Sequence, residues 1–67
     1  MLQQLQRYVG RRVAIIYQDR KGAITKRTIL VEAVQDSHVK AFDLDKRAPR
    51  VFIVANILAV ELVQRAV

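Results

Sequence analysis

Three groups of side chains in this sequence could do chemistry: a set of cations near aromatic rings, a Ser-His dipeptide, and a pair of aspartates. Lys46, Arg47 and Arg50 flank Pro49 and lie close to Phe52. Cations beside an aromatic form the usual element of single-strand nucleic-acid binding. The guanidinium holds phosphate and the ring stacks on a base, at about 1–3 kcal/mol per base. The same residues also read as a solvated loop. Arg11-Arg12 and Arg20-Lys21 could extend a basic track. Tyr17 ends an apolar run, where its ring could stack on a base or pack into a core. Arg27 stands two residues from both Thr25 and Ile29, so on a strand the three share a face. An Arg in that setting either aims into a binding groove or pairs with a carboxylate, for which Glu32 and Asp43 are the candidates.

The other groups point away from catalysis. Ser37 and His38 are neighbours, and strand alternation would send them to opposite faces, which precludes a nucleophile–base pair. Asp43 and Asp45 could share a face, but amid Lys and Arg they read as turn formers or salt-bridge partners. There is no cysteine and His38 is the lone histidine, so neither a disulfide framework nor a thiolate or multi-histidine metal site can be built. Gly10 and Gly22 are the only glycines, too few for a phosphate-cradling loop. The expectation is a binding protein with no catalytic residue, metal or cofactor.

The elements that must position these groups follow from periodicity. Leu2, Leu5, Tyr8 and Val9 fall on one helical face, and Gly10 is a natural stop, so a short helix is expected over about 2–9. The period then changes. Val13 to Tyr17 is β-branched and aromatic and ends at Asp19-Arg20-Lys21-Gly22, a tight turn. Ala23 to Val34 resumes the strand pattern and completes a hairpin. Its length calls for a bend or bulge near the middle. His38 to Phe42 and Arg50 to Val54 read as a third and a fourth strand, joined by a polar connection over 43–49. Ala55-Asn56 is a break. Leu58 to Val63 reads as a fifth strand, although Asn56 could instead cap a helix through Leu58, Leu62 and Arg65. A helix followed by five short strands buries its alternating apolar faces most easily by curling into a small barrel over about 12–63.

Composition bounds the rest. The chain has 67 residues, one small domain of marginal expected stability, with 52% hydrophobic residues to fill a core. Twelve Lys and Arg against six Asp and Glu give a net charge of +6, and most of the cations are Arg, whose planar fork matches phosphate. An anionic partner is therefore expected, or else a basic surface kept for solubility. The N-terminus lacks an apolar signal region and residue 2 is not Gly, so the cytoplasm is the default.

The segments Ile16-Tyr17-x-Asp19-x-x-Gly22-x-Ile24-Thr25-x-Arg27, Val39-Lys40-Ala41-Phe42, Arg50-x-Phe52 and Asn56-Ile57 resemble the WYL domain of bacterial regulators. The resemblance spans roughly residues 12 to 63. The three letters that name the family fall on Ser37, His38 and Val39. The resemblance implies an Sm-like, SH3-type barrel with a regulatory, ligand-sensing role, here as a divergent stand-alone copy. It carries Arg27 and Arg50 over as anion-binding residues and implies RNA, single-stranded DNA or a nucleotide as ligand. Tyr17, Lys46, Arg47 and Phe52 complete the expected site. The alternative is a protein-interaction or oligomerisation module, because five short strands leave open edges. A homo-oligomer is compatible with either reading.

Overall fold

A computed structural model describes residues 2–63. Helix α1 (Leu2–Arg7) precedes strands β1 (Arg12–Gln18), β2 (Ile24–Val34), β3 (His38–Asp43), β4 (Ala48–Ile53) and β5 (Ile57–Leu62), with a 3-10 turn at Val54–Asn56 before β5. All five strands form one antiparallel sheet in the order β4-β3-β2-β1-β5. No ladder joins β4 to β5, so the sheet is not closed.

The alternation expected of β1 is present: Val13 and Ile15 are buried, while Ala14 and Ile16 are only half-buried. Cross-strand partners share a face. The register Val13↔Ile29, Val31↔Ala41 and Val39↔Phe52 therefore carries one apolar face across four strands, and Ile57 opposite Tyr17 extends it to β5. These residues, with Leu5 of the helix, form the core. The long second strand carries the expected bulge, but toward its end and not its middle: its pairing with β3 shifts between Val31 and Ala33, leaving Glu32 as the extra, exposed residue.

The helix is shorter than its apolar spacing predicts. It ends at Arg7, and Val9 is exposed rather than docked. Gly10 explains the change. Its φ of 82° turns the chain, and its N–H donates to the carbonyl of Val31 at 2.7 Å, pulling residues 10 and 11 toward β2. Of the predicted stripe, Leu5 is fully buried and Tyr8 packs on the core.

The Asp19–Gly22 turn forms as read. The Asp19 carboxylate accepts from the N–H groups of Lys21 and Ala23, each at 2.9 Å, and Gly22 takes a φ of 84°. Pro49, expected in a connection, is instead inside β4 opposite Phe42. An edge strand tolerates proline when the missing N–H faces away from its neighbour. Asn56 closes the 3-10 turn, and Ile57 continues as a strand. The helical alternative fails over 57–62 because this segment pairs with β1, with Ile57, Val60 and Leu62 on the core face and an irregularity at Leu58; Arg65 lies outside the described residues.

Candidate anion-binding cleft

Both arginines singled out by the sequence stand on the core face of the sheet. Arg27 is two residues from Ile29 on β2, and Arg50 is opposite Ala41 and two residues from Phe52 on β4. Their surroundings differ. Arg27 Nη1 donates to Asp43 Oδ2 at 3.2 Å, with the Arg27 side chain 19% exposed and Asp43 not exposed at all. Of the two carboxylates proposed as a partner, Asp43 is therefore the one used. The other oxygen of Asp43 accepts the N–H groups of Asp45 (3.0 Å) and Lys46 (3.2 Å), which organises the β3–β4 turn. Asp45 in turn accepts the N–H of Thr28 at 3.2 Å. The two aspartates act as turn formers and an ion-pair partner.

Burial alone would raise the Asp43 pKa. The amides of Lys46 and Asp45, followed by the charge and hydrogen bond of Arg27, outweigh it and hold the carboxyl below its usual value.

Arg50 has no carboxylate partner among the described residues. Its guanidinium carbon lies 5.5 Å from the centre of the Phe52 ring, a cation–π contact worth about 0.5–1 kcal/mol or more as water is excluded. The Phe52 ring is fully buried and meets Tyr17 edge-on, with centroids 5.0 Å apart and planes at 78°. Tyr17 also accepts, through its hydroxyl, the N–H of Ile53 at 3.2 Å. One residue of β1 thus ties the end of that strand to β4, three strands away in the sheet order. Phe52 has no ring face open to stack on a base; it serves as the floor on which Arg50 and Tyr17 rest.

Above this floor is a cleft of about 280 Å³ lined by Tyr17, Asp19, Arg20, Arg50, Val51, Ile53 and Asn56. It joins the β1–β2 turn to β4 and the 3-10 turn, so the sheet's curl brings together residues far apart in sequence. Two guanidiniums and one amide face one carboxylate there, and Asp19 already spends an oxygen on the turn amides. The sequence offers Arg20 only as part of a turn and a basic track, and Asn56 as a break, a possible helix cap and part of the Asn56-Ile57 resemblance, neither as a site residue. The Asp-x-x-Gly turn was the signal that Arg20 would project. No local signal marks Asn56, whose place depends on the curl.

The remaining cations do not join this group. Lys46 and Arg47 are exposed on the β3–β4 turn, where Arg47 adopts a φ of 54°. Arg11 and Arg12 line a different cleft with Thr28 and Leu44. The three basic pairs and Arg50 therefore do not form one continuous track.

The Ser-His dipeptide departs from expectation. Ser37 Oγ and His38 Nδ1 are 3.0 Å apart. Ser37 belongs to the turn before β3, so strand alternation does not govern it. The pair is exposed, and neither residue lines the cleft of Arg50 or that of Arg11 and Arg12. Among the described residues no group of three or more His, Asp or Glu could hold a metal ion, and no helix is long and apolar enough to cross a membrane. Compared with protein-family models and with curated proteins, the sequence matches none.

Proposed function

We propose that this chain is a small binding module for a phosphate-bearing anion, a nucleotide or single-stranded nucleic acid, held in the cleft between the β1–β2 turn and β4. The observation that carries the reading is Arg50. It is half-buried, set in place by Phe52, lines a cleft with Arg20 and Asn56, and makes no salt bridge among the described residues, Asp19 being the one carboxylate in the cleft. A guanidinium so positioned offers paired donors to phosphate, and an overall charge of +6 draws anions toward it. The cleft volume lies near the lower end of small-ligand sites, the size of one phosphate-bearing unit rather than a large cofactor. The helix, the strand order and the tie from Tyr17 to β4 support a curled five-stranded sheet of Sm-like or SH3-like type; the WYL kind is proposed on the sequence resemblance alone, with Arg50 as the residue best placed to serve a ligand. Arg27 is committed to Asp43 and belongs to the framework.

Titrating short single-stranded RNA and DNA and a mononucleotide, followed by fluorescence anisotropy or calorimetry, tests the reading. The oligonucleotide affinity should fall with log salt at a slope of about −0.7 per phosphate contact. Arg50→Ala and Arg20→Ala should each weaken binding, whereas Arg27→Met should act only through stability. Absence of binding at about 50 mM salt, or dependence on Lys46 and Arg47 alone, overturns the assignment.

A further inference from the structure

Asp19 is an unusual neighbour for an anion. Its N–H donates to the carbonyl of Ala23 at 2.9 Å, and its carbonyl accepts the N–H of Gly22 at 3.0 Å. Its Oδ1 accepts the N–H groups of Lys21 and Ala23. The turn thus uses every polar group of this residue except Oδ2 and fixes where that oxygen stands. Oδ2 has no hydrogen-bond partner among the described residues, although Asp19 lines the cleft with Arg20 and Arg50. Neither guanidinium brings a nitrogen within 4.0 Å of the carboxylate, so no ion pair neutralises it.

A carboxylate so placed works against a bare phosphate, because like charges in one cleft repel. The repulsion is offset only by a ligand that brings a hydrogen-bond donor to Oδ2. A phosphodiester has no such donor of its own. A nucleotide has donors in two places, the ribose hydroxyls and the base edge. The sugar hydroxyl is the nearer: the 2′-hydroxyl and the 3′-phosphate are on adjacent carbons, whereas the base edge lies across the sugar. In a cleft of about 280 Å³ the donor must sit beside the phosphate it accompanies. Carboxylates accept ribose hydroxyls in this way where dinucleotides bind. Asn56 is half-buried in the same cleft, and its side-chain amide adds both donor and acceptor capacity.

We propose that, given a cleft that holds phosphate as its proposed function requires, Asp19 makes it selective for ribose. Arg50 and Arg20 hold the phosphate, and Oδ2 accepts the 2′-hydroxyl beside it. The ligand is then a ribose phosphate, with DNA disfavoured because it leaves the carboxylate unpaired.

Fluorescence anisotropy on the full chain compares a short oligouridylate with deoxyuridine and 2′-fluoro oligomers of equal length. The three share bases and phosphates, and the fluoro sugar keeps the ribose pucker but has no donor. RNA should bind about three- to tenfold tighter than either of the others, the effect of one charge-assisted hydrogen bond at an exposed site. Because the phosphates are common to all three, rising salt should weaken them alike and leave the ratio unchanged. Asp19→Asn keeps an oxygen for the turn amides and replaces Oδ2 by a donor. It should bring the ratio within about twofold and tighten DNA by about two- to fivefold at low salt, since the like charge is gone. Should that variant unfold by circular dichroism, the fluoro oligomer decides on the parent chain alone. Calorimetry with uridine 3′-phosphate and its 2′-deoxy counterpart separates the two sources of ribose. A preference among the mononucleotides assigns the site to a free ribonucleotide, and a preference among the oligomers alone assigns it to RNA. Equal binding of all three oligomers, with no preference among the mononucleotides, leaves the phosphate site standing and overturns the ribose selection. A fluoro oligomer bound as tightly as RNA overturns it too, because the sugar pucker is then read and not the hydroxyl. Binding of none of these ligands removes the cleft as an anion site, and the selection with it.

Discussion

The Arg27–Asp43 pair allows a worked test of which cations are framework and which are free. Asp43 has no exposure and accepts three hydrogen bonds, two from turn amides and one from Arg27. Stripping all three with Asp43→Ala would approach the about 3–5 kcal/mol seen when a buried pair is broken. A domain of this length has only about 3–10 kcal/mol in total, so that variant would be at or past unfolding. Asp43→Asn is the sharper probe. It keeps the shape and leaves one oxygen to accept the Asp45 and Lys46 amides, removing mainly the charge that faces Arg27. A hydrogen bond to a charged group contributes about 1.5–3 kcal/mol. The lower half of that range applies, because Arg27 reaches Asp43 through Nη1 alone, its Nε is buried without a partner among the described residues, and its 19% exposure lets water partly solvate the stranded cation.

Urea unfolding followed by circular dichroism measures Asp43→Asn, Arg27→Met and the double variant. Each single change should lower stability by about 1–2 kcal/mol, with a coupling of about 1 kcal/mol in the cycle. The pH dependence has a definite sign. Because the folded-state carboxyl lies below its usual value, its contribution is complete above about pH 4–5 and is lost as pH falls through the folded value. Asp43→Asn should therefore flatten the acid limb of the stability profile. A coupling within about 0.3 kcal/mol of zero, with an unchanged acid limb, would refute the view that Arg27 is held by Asp43.

Two further predictions concern the turn and the tie. Arg47 sits at a φ of 54°, a conformation that costs a non-glycine residue about 1–2 kcal/mol, so Arg47→Gly should raise stability by up to about 1 kcal/mol after the unfolded-state entropy of glycine is subtracted. It should leave anion affinity near that of the parent, and a loss above about 0.5 kcal/mol in thermal or urea unfolding would count against the strain. Tyr17→Phe keeps the ring against Phe52 but releases the Ile53 N–H, and should lower stability by about 0.5–1.5 kcal/mol. Hydrogen exchange should show the Ile53 amide opening faster than in the parent; unchanged exchange there would mean that the phenol does not hold β4.

Features set by near neighbours in the chain were readable from the sequence. The Asp19–Gly22 turn and the break before β5 arise from local residue chemistry, and both are present; the irregularity in β2, expected from strand length alone, falls near its end and not its middle. The misses share another cause. Val9 leaves the helix stripe because Gly10 is drawn to Val31, a contact made 21 positions away. Ser37 and His38 approach because one of them is still in the turn. Pro49 is admitted to β4 because that strand is an edge, a property of strand order and not of the local sequence. The cleft was half legible: Tyr17 and Arg50 carried a signal, whereas Asn56 and the burial of Phe52 depend on how the sheet curls.

The contrast between the two core-face arginines turns on how each is accommodated. Burying a cation requires compensation, and the fold supplies it in two chemically different ways. A carboxylate cancels the charge of Arg27 and fixes its orientation, leaving nothing for an incoming phosphate that could compete with a carboxyl already held by two amides. An aromatic ring has no net charge. Phe52 stabilises Arg50 through its quadrupole and leaves the positive charge intact at the wall of the cleft. On the proposed function Phe52 then matters to binding without touching a ligand, because it sets the surface on which Arg50 rests, while Tyr17 both packs on that ring and lines the cleft. Replacing Phe52 with Leu should accordingly cost affinity at full folding, an effect that a loop of solvated cations would not show.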